Sequence, residues 1–266
     1  MIMKKTFKLF TSLCFGAALL CSCGQKTNEI WYTTTDGSVA VTASNIEVIS
    51  NEISGTNGVL RLSSSVDKVL HNQFTESENL KTVVLAKGVK EIEQQAFYKC
   101  YNLESIKLPA GLEKIGTTSF CQCKRLASIE IPSSVKVIDM EAFGMCESLT
   151  SVRVPEGITI LDRGVFSGCT LLKEVIIPES VTEIENFVFV KDAALENIQL
   201  PSKLEKIGYA AFGECTSLTE IEIPQSCKSI GDMAFYACWA LKTTRVPEGC
   251  EIGSNAFPEG CEIVRY

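Results

Sequence analysis

The hydrophobic positions of the chain repeat every 23 residues. Eight phenylalanines stand 23 residues apart and a ninth follows after 22, at Phe74, Phe97, Phe120, Phe143, Phe166, Phe189, Phe212, Phe235 and Phe257. Leucine stands six residues after each of the first eight, and aliphatic residues stand nine, eleven, fifteen and eighteen residues after most of them. A period of 20 to 50 residues is typical of repeat proteins, in which each unit buries its apolar side against its neighbours.

The spacing within one unit predicts its local structure. The positions nine and eleven residues after each phenylalanine are two apart, which is the period of a strand with one buried face. Proline follows at the next position in seven units and ends that strand. The phenylalanine and the positions three and six residues later suit one short helical or 3₁₀ turn. Gly116, Gly208 and Gly231 follow the last aliphatic position, where we expect an unusual backbone angle.

These features predict a β-rich α/β repeat fold, a solenoid of stacked 23-residue units with a parallel sheet and short helical or 3₁₀ turns. We expect the solenoid to span residues 59–266, with a shortened last repeat. A degenerate first unit is visible ahead of Phe74, and its apolar positions are Leu60, Leu62, Val66 and Val69.

Residues 30–58 do not follow the period. Ile30–Thr35 has the composition of a strand, Asp36-Gly37 that of a hairpin turn, and Val39–Thr42 that of the returning strand. Since a terminal repeat exposes one face of the core, we interpret 30–58 as an N-terminal β cap in which Trp31 packs. The alternatives are a small separate binding module and a role for Trp31 as a ligand platform.

The N-terminus has the features of an export signal. Three lysines and no acidic residue occur within 1–22, and the mainly apolar run Leu9–Leu20 is too short to span a bilayer with confidence. The sequence Leu20-Cys-Ser-Cys23 resembles a bacterial lipobox, which implies that Cys23 begins the mature chain, carries a lipid and is followed by a tether over 23–29. An ordinary cleaved signal or an uncleaved anchor is the alternative.

Composition excludes several classes of function. The 266 residues carry a net charge of −7, and removal of 1–22 with its three lysines leaves 22 basic against 32 acidic residues, or −10. Nucleic-acid-binding proteins present basic patches, so we predict no nucleic-acid partner. The single histidine, His71, allows no two-histidine metal motif and no choice of partner for a catalytic triad. We expect His71 at the surface, and we predict no enzyme activity, no cofactor and no metal.

The repeat unit resembles a known family. Units of the form A-F-x-x-C-x-x-L-x-x-I-x-I-P-x-x-V-x-x-I are similar to the BspA-type leucine-rich repeats of bacterial surface proteins, and Ala96–Ile115, Ala142–Leu161 and Ala211–Ile230 are close examples. The resemblance covers residues 51–266. It implies a right-handed leucine-rich-repeat solenoid with a parallel sheet on one side. It also implies secretion or surface display and the binding of proteins or cell surfaces.

The cysteines outside the N-terminal segment fall mostly in one column. Six stand three residues after a phenylalanine, at Cys100, Cys123, Cys146, Cys169, Cys215 and Cys238. A small buried hydrophobe belongs there, so we expect reduced thiols that serve for packing. Cys227 and Cys250 share another column in adjacent repeats, and a disulfide between them, or one that involves Cys261, stays open. The column offers no separate four-ligand cluster for zinc.

One repeat departs from this column. The Phe189 repeat places Asp192, after Lys191, where the others have cysteine. Because burial of an unpaired carboxylate is costly, we expect this turn to be displaced and both residues to be exposed.

A ligand surface is expected on the outward side of the strands. The positions eight and ten residues after each phenylalanine point away from the buried ones. The candidate binding face consists of Lys107, Glu130, Arg153, Ile176, Glu222 and Arg245. Among these, Arg153, Ile176 and Arg245 are the better anchors, because arginine and apolar groups dominate interface energies. The alternative is a solvated sheet surface without a ligand.

We therefore predict a non-catalytic lipoprotein of the bacterial cell envelope, anchored by lipid in the outer membrane and exposed at the surface. Its expected partner is a protein of a host or neighbouring cell, or of the matrix. Because Gln25–Glu29 carries no convincing export signal, the side of the outer membrane stays open. The alternative function is a periplasmic or envelope scaffold that organises other proteins.

Overall fold

The computed structural model describes residue 26 and residues 28–39, 48–62 and 67–266. The predicted signal peptide 1–22, the predicted lipidation site Cys23, most of the predicted tether, and Val66 of the degenerate unit lie outside the described residues. The greater part of the predicted return strand, residues 40–42, does so as well.

The described part of the chain contains β-strands, bridges and turns, and no helix. The 18 strands are β1 (Glu29–Thr34), β2 (Val48–Ser54), β3 (Asn57–Leu62), β4 (Lys68–Val69), β5 (Leu80–Val84), β6 (Glu91–Ile92), β7 (Ser105–Lys107), β8 (Lys114–Ile115), β9 (Val137–Ile138), β10 (Ser151–Arg153), β11 (Ile160–Leu161), β12 (Glu174–Ile176), β13 (Glu183–Ile184), β14 (Lys206–Ile207), β15 (Ser229–Ile230), β16 (Thr243–Val246), β17 (Glu251–Ile252) and β18 (Glu262–Arg265).

The first side of each repeat forms the predicted parallel sheet. Strands β5 and β7, β10 and β12, and β16 and β18 pair in parallel, and single bridges continue the pattern between them at Asn197–Glu220 and Glu222–Arg245. The inward residues of these strands, such as Ile106, Val152 and Val175, are buried as predicted. This side therefore presents its polar column outward from one repeat to the next.

A second parallel ladder, in two segments, lies on the side of the repeats that follows the proline turn, where the repeat pattern predicts aliphatic positions but no strand. Its two-residue strands are β4, β6, β8 and β9 in the first segment and β11, β13, β14, β15 and β17 in the second. The predicted unusual backbone angle at Gly116, Gly208 and Gly231 is wrong, since none of the three has a positive φ. A Cβ at these positions would lie only 2.6–2.8 Å from backbone atoms of the preceding repeat, so these glycines allow close approach instead.

The predicted short helical or 3₁₀ turn around each phenylalanine is replaced by successive β-turns. The N–H groups of successive residues alternate between donating to the next repeat and donating within their own turn. The Phe97 N–H donates to the Ser119 carbonyl one repeat further along at 2.8 Å, whereas the Cys100 N–H donates back to the Phe97 carbonyl at 3.2 Å. A continuous helical series of hydrogen bonds is excluded because every second donor is used between repeats.

Left-handed residues make these turns possible. Positive φ occurs two residues before all nine phenylalanines and two residues after the first eight, as at Gln95 and Lys99 with φ of 57° each. A residue with positive φ is what the third position of a type II turn requires. Because side chains other than glycine hold most of these positions, the conformation follows from stacking of the repeats more than from local preference.

The phenylalanines form one continuous stack through the core. From Phe74 to Phe257, consecutive rings lie 5.0–5.8 Å apart at interplanar angles of 1–22°. The eight from Phe74 to Phe235 have no exposed surface. Burial of one such side chain contributes about 1.5–3 kcal/mol, and an aromatic pair adds about 0.5–1.5 kcal/mol.

The cysteine column packs beside this stack as predicted. All six thiols are free and fully buried. Each Sγ–H donates to the carbonyl of the phenylalanine one repeat earlier at 3.0–3.3 Å, as Cys100 does to Phe74. Burial raises the pKa of Cys100 to about 12, so the thiol keeps the proton that it donates.

Three antiparallel strands extend the first sheet at its N-terminal end. The order is β2-β3-β1-β5-β7, and β1 pairs antiparallel with both β3 and β5. The Tyr32 ring lies over Gly58, where an added Cβ would come within 2.0 Å of it, and the Tyr32 hydroxyl donates to Asn51 Oδ1 at 2.5 Å. The half-buried Trp31 donates from Nε1 to Glu29 at 3.2 Å.

The expected exposure of Asp192 is wrong. Lys191 is exposed as predicted, but Asp192 is fully buried in the cysteine column. The turn keeps the standard form, since Lys191 has the positive φ of its column, and the Asp192 side chain is therefore directed inward. Its Oδ1 accepts the Cys169 N–H at 2.8 Å, and Oδ2 has no hydrogen-bond partner among the described residues.

Leu149→Asp is expected to unfold the repeat array. Leu149 has no exposed surface, so the substitution buries an unpaired charge and costs more than about 4 kcal/mol of stability. Leu171→Asp is the matched control, because Leu171 in the next repeat is 51% exposed. Chemical denaturation followed by circular dichroism measures both variants. Cooperative unfolding of Leu149→Asp at near-normal stability would contradict the column assignment.

Asp192→Cys, which restores the column, is expected to stabilise the protein at neutral pH by on the order of 2 kcal/mol. Burial raises the pKa of Asp192 well above its usual range, although the Cys169 and Gly168 N–H groups act in the opposite direction. The folded state therefore retains the carboxyl proton above about pH 4, where the unfolded state releases it, and the stability of the natural protein falls as pH rises.

Denaturation of both proteins under reducing conditions at pH 3, 5 and 7 measures this difference. The advantage of Asp192→Cys is expected to grow with pH and to be smallest at pH 3. Asp192→Asn, which cannot ionise, is expected to lose the same pH dependence. An equal stability difference at all three pH values would show that folding does not raise the pKa of Asp192.

Candidate binding surface

The six predicted face residues lie in one outward column on the side of the solenoid that carries the first sheet. Lys107, Glu130, Arg153, Glu222 and Arg245 are exposed, and Ile176 is half-buried. Their neighbours along the strands, such as Val152 and Val175, are buried and fix the backbone beneath them. The alternation of the strand thus directs these side chains to solvent, as the sequence analysis predicts.

Four of these six residues lie beside one another in pairs on adjacent repeats. Arg153 and Ile176 are direct register partners on β10 and β12. Glu222 and Arg245 are joined by a bridge and an ion pair of 3.3 Å, and the Arg245 guanidinium carbon lies 4.5 Å from the centre of the Tyr266 ring. Arg245 therefore has two partners within the chain, whereas Arg153 and Ile176 present a cation beside an apolar group.

Lys107 and Glu130 belong to a groove that the sequence analysis did not predict. The groove has a volume of about 570 Å³ and crosses three repeats just beyond the ends of β5 and β7. It is lined by Val84, Leu85, Lys87, Lys107, Leu108, Pro109, Ala110, Gly111, Glu130, Ile131 and Pro132. Two prolines and the half-buried Ile131 provide its apolar wall. Lys87, Lys107 and Glu130 are exposed and add charge of both signs.

Local sequence explains why the groove lies there. The Phe97 repeat has the two small residues Ala110-Gly111 after its proline, where repeats further along have Glu156-Gly157, Glu179-Ser180 or Gln225-Ser226, each with a larger first residue. Residues 128–131 of the next repeat are not in a strand, so the first sheet is interrupted at this point. The small side chains of one turn and the weak strand pattern of the next repeat were the signals available in the sequence. That they form a groove together is seen only when the repeats are stacked.

A groove with these properties suits a short extended polypeptide. Its apolar wall can bury apolar side chains, while the charged groups at its margin can pair with either sign. The two prolines contribute no backbone N–H to the wall, and apolar contact dominates its chemistry.

Exposed aromatic residues that the repeat pattern does not predict lie on the turn side of the C-terminal repeats. Trp239 is 55% exposed and contacts Tyr236 edge to face at a centroid distance of 6.5 Å. Tyr209 packs edge to face on Phe187 at 5.1 Å. These residues follow no fixed column, so the repeat period alone could not place them on one surface.

A ladder of ion pairs lies on the second sheet. Lys68 and Glu91 are 2.8 Å apart, and Lys114 and Asp139 are 3.1 Å apart. Val137 and Ile160 are exposed apolar residues in the same outward column. Exposed ion pairs each contribute at most about 1 kcal/mol, so this ladder adds solubility more than stability.

The single histidine is at the surface, as predicted. His71 is exposed, and its Nδ1 lies 3.0 Å from the Gln94 carbonyl oxygen. Across the part of the chain that the structure describes, no group of three or more histidine, cysteine, aspartate or glutamate residues is placed to hold a metal ion. None of the same residues forms a helix long and apolar enough to cross a membrane.

Comparison with solved structures finds bacterial leucine-rich-repeat proteins. A leucine-rich repeat protein from Bacteroides ovatus matches with a TM-score of 0.60 and 26% identity, over 81% of this chain and 61% of the other. This chain therefore spans less than two thirds of that protein. A leucine-rich cell surface protein from Faecalibacterium prausnitzii matches with a TM-score of 0.57 and 27% identity, over 88% and 76% of the two chains.

A third relative is the leucine-rich repeat protein of T. pallidum, with a TM-score of 0.54 and 30% identity over 60% of this chain and 77% of the other. No curated protein matches the chain. Six copies of the model for the BspA-type leucine-rich repeat region match residues 58–172 and 136–265, more than three quarters of the sequence. With its repeats stacked in the structure as that pattern requires, the chain belongs to the BspA-type leucine-rich-repeat family.

Proposed function

We propose that this protein is a non-catalytic cell-envelope lipoprotein that binds another protein through the outward face of its first sheet. The observation that carries the proposal is the groove at the ends of β5 and β7, with Lys107 and Glu130 at its margin. The repeat fold is typically a binding scaffold, and its regular stacking provides a rigid, extended surface. One solved relative is described as a leucine-rich cell surface protein.

The groove and the centre of the column form one continuous binding face in this proposal. The groove takes an apolar stretch of the partner, and Arg153 with Ile176 forms a second contact further along the solenoid. Arginine and apolar side chains are the groups that most often carry interface energy. The mixed charges around them determine orientation and rate of association.

The location follows from the N-terminal sequence and the family. We propose that residues 1–22 are removed, that Cys23 carries lipid, and that 23–29, whose last residue Glu29 begins β1, tethers the protein to the outer membrane. More than one acyl chain gives stable anchoring. Residues 30–58, which include β2 and all of β1 except Glu29, act as an N-terminal cap for the solenoid over 59–266, because β1 covers the edge of β5.

Protease treatment of intact cells is expected to remove the solenoid from the cell surface. An antibody to the repeats detects it, and lysed cells are the control for cleavage. In Cys23→Ala cells, the protein is expected to leave the membrane fraction, since the lipid is lost. Protection of the natural protein until lysis would contradict surface exposure and favour a periplasmic scaffold.

The double variant Lys107→Glu/Glu130→Lys is expected to weaken binding to immobilised extracellular-matrix and host-surface proteins at least tenfold. The net charge of the protein is unchanged, so a loss of affinity can be assigned to the altered groove and not to overall charge. Glu205→Lys/Lys228→Glu exchanges an exposed ion pair that lies away from the groove and is the matched control. Surface plasmon resonance measures both. Equal affinities for the two variants would exclude the groove as the binding site.

A further inference from the structure

Two thiols of the last repeats lie side by side. The Cys250 Sγ is 3.9 Å from the Cys227 Sγ, and both residues stand in the same column of adjacent repeats. Each follows a proline turn of the same form, with the cysteine N–H bonded to the proline carbonyl three residues earlier. The two backbones are therefore equivalent and parallel at this point.

This arrangement suits a disulfide. Adjacent strands lie about 4.8 Å apart, and disulfides join residues whose Cα atoms are about 4.4–6.8 Å apart. The two sulfurs are already directed at each other, so rotation about the side-chain bonds can bring them to bonding distance. No change in the order of the strands is needed.

The six thiols of the cysteine column are held differently. They have no exposed surface and donate to phenylalanine carbonyls at 3.0–3.3 Å. The carbonyl contacts of Cys227 and Cys250 are longer, at 3.5 and 3.7 Å, and the two residues are 3% and 4% exposed. They lie in the last repeats, where local opening requires the loss of the fewest contacts.

One of the two thiols is the better nucleophile. Burial raises the pKa of Cys227 to about 12. Burial also raises the pKa of Cys250, but the hydrogen bond with Cys227 and the nearby Arg265 guanidinium act against that rise. Arg265 is held in place by bonds from Nη1 to the Pro247 and Cys250 carbonyls at 2.6 and 3.0 Å. The position of Arg265 therefore favours Cys250 over Cys227 as the attacking thiolate.

We propose that Cys227 and Cys250 form a disulfide that joins the last two full turns of the solenoid when the protein meets a small-molecule or protein disulfide. The Cys250 thiolate attacks that disulfide and forms a mixed disulfide, and one thiol leaves. Cys227 loses its proton, attacks the Cys250 sulfur and releases the second thiol. Two protein thiols are oxidised and one external disulfide is reduced.

The disulfide would hold the last two full repeats together at the C-terminal end of the solenoid. A terminal repeat has a neighbour on one side only, so it opens more readily than an internal one. The bond closes a loop of 23 residues and is expected to raise the melting temperature by about 5 °C.

Peptide mapping after oxidation tests the bond. The purified full-length protein is incubated with oxidised glutathione, free thiols are alkylated, and the chain is cleaved after lysine, arginine and glutamate. The expected product is Ile223–Lys228 linked to Gly249–Glu251. Because Gly260–Glu262 is the same tripeptide, Gly-Cys-Glu, the experiment is repeated with Cys261→Ser.

The expected result is the linked product in both proteins, with the six column thiols alkylated only after denaturation. Loss of the product in Cys261→Ser would assign the bond to Cys261 and overturn the proposal, as would free Cys227 and Cys250 in the folded, oxidised protein. Melting curves provide a second test. The rise on oxidation is expected to persist in Cys261→Ser and to disappear in Cys250→Ser.

Discussion

Stacking of one repeat on the next is the interaction on which the rest of this structure depends. A unit of 23 residues is too small to enclose a core, so its phenylalanine, cysteine and leucine are buried only when a neighbour is in register. The same register aligns the backbone, and amides donate between repeats in both ladders and in the turns. Apolar burial and hydrogen bonding therefore enforce a single spacing of about 5 Å.

The need to keep adjacent repeats in register also explains the residues that do not suit their positions. Asp192 is buried although an exposed turn would avoid the cost of desolvation. Displacement of that turn would break the hydrogen bonds to both neighbouring repeats, and the array instead tolerates one costly side chain. Thr118 and Phe187 adopt positive φ for the same reason, since the column imposes the conformation on whatever residue occupies it.

The outward positions are free of this constraint, and function is expected to reside there. Substitutions in the outward columns leave the stacking intact, so charge, aromatic groups and small residues can vary from one repeat to the next. The groove beside Lys107 arises from such variation, where Ala110-Gly111 and a break in the sheet coincide. A regular scaffold with an irregular surface is the general form of a repeat protein that binds a particular partner.

The sequence by itself determined the period, the buried columns and the outward direction of the face, because each depends only on spacing along the chain. Tertiary structure decided the second ladder, the left-handed turns, the close approach at Gly116 and the depth of the groove. Those features depend on which atoms of one repeat meet the next, and a pattern of hydrophobic and polar positions does not contain that information. Even the contact between Cys227 and Cys250 was an open alternative until the repeats were stacked.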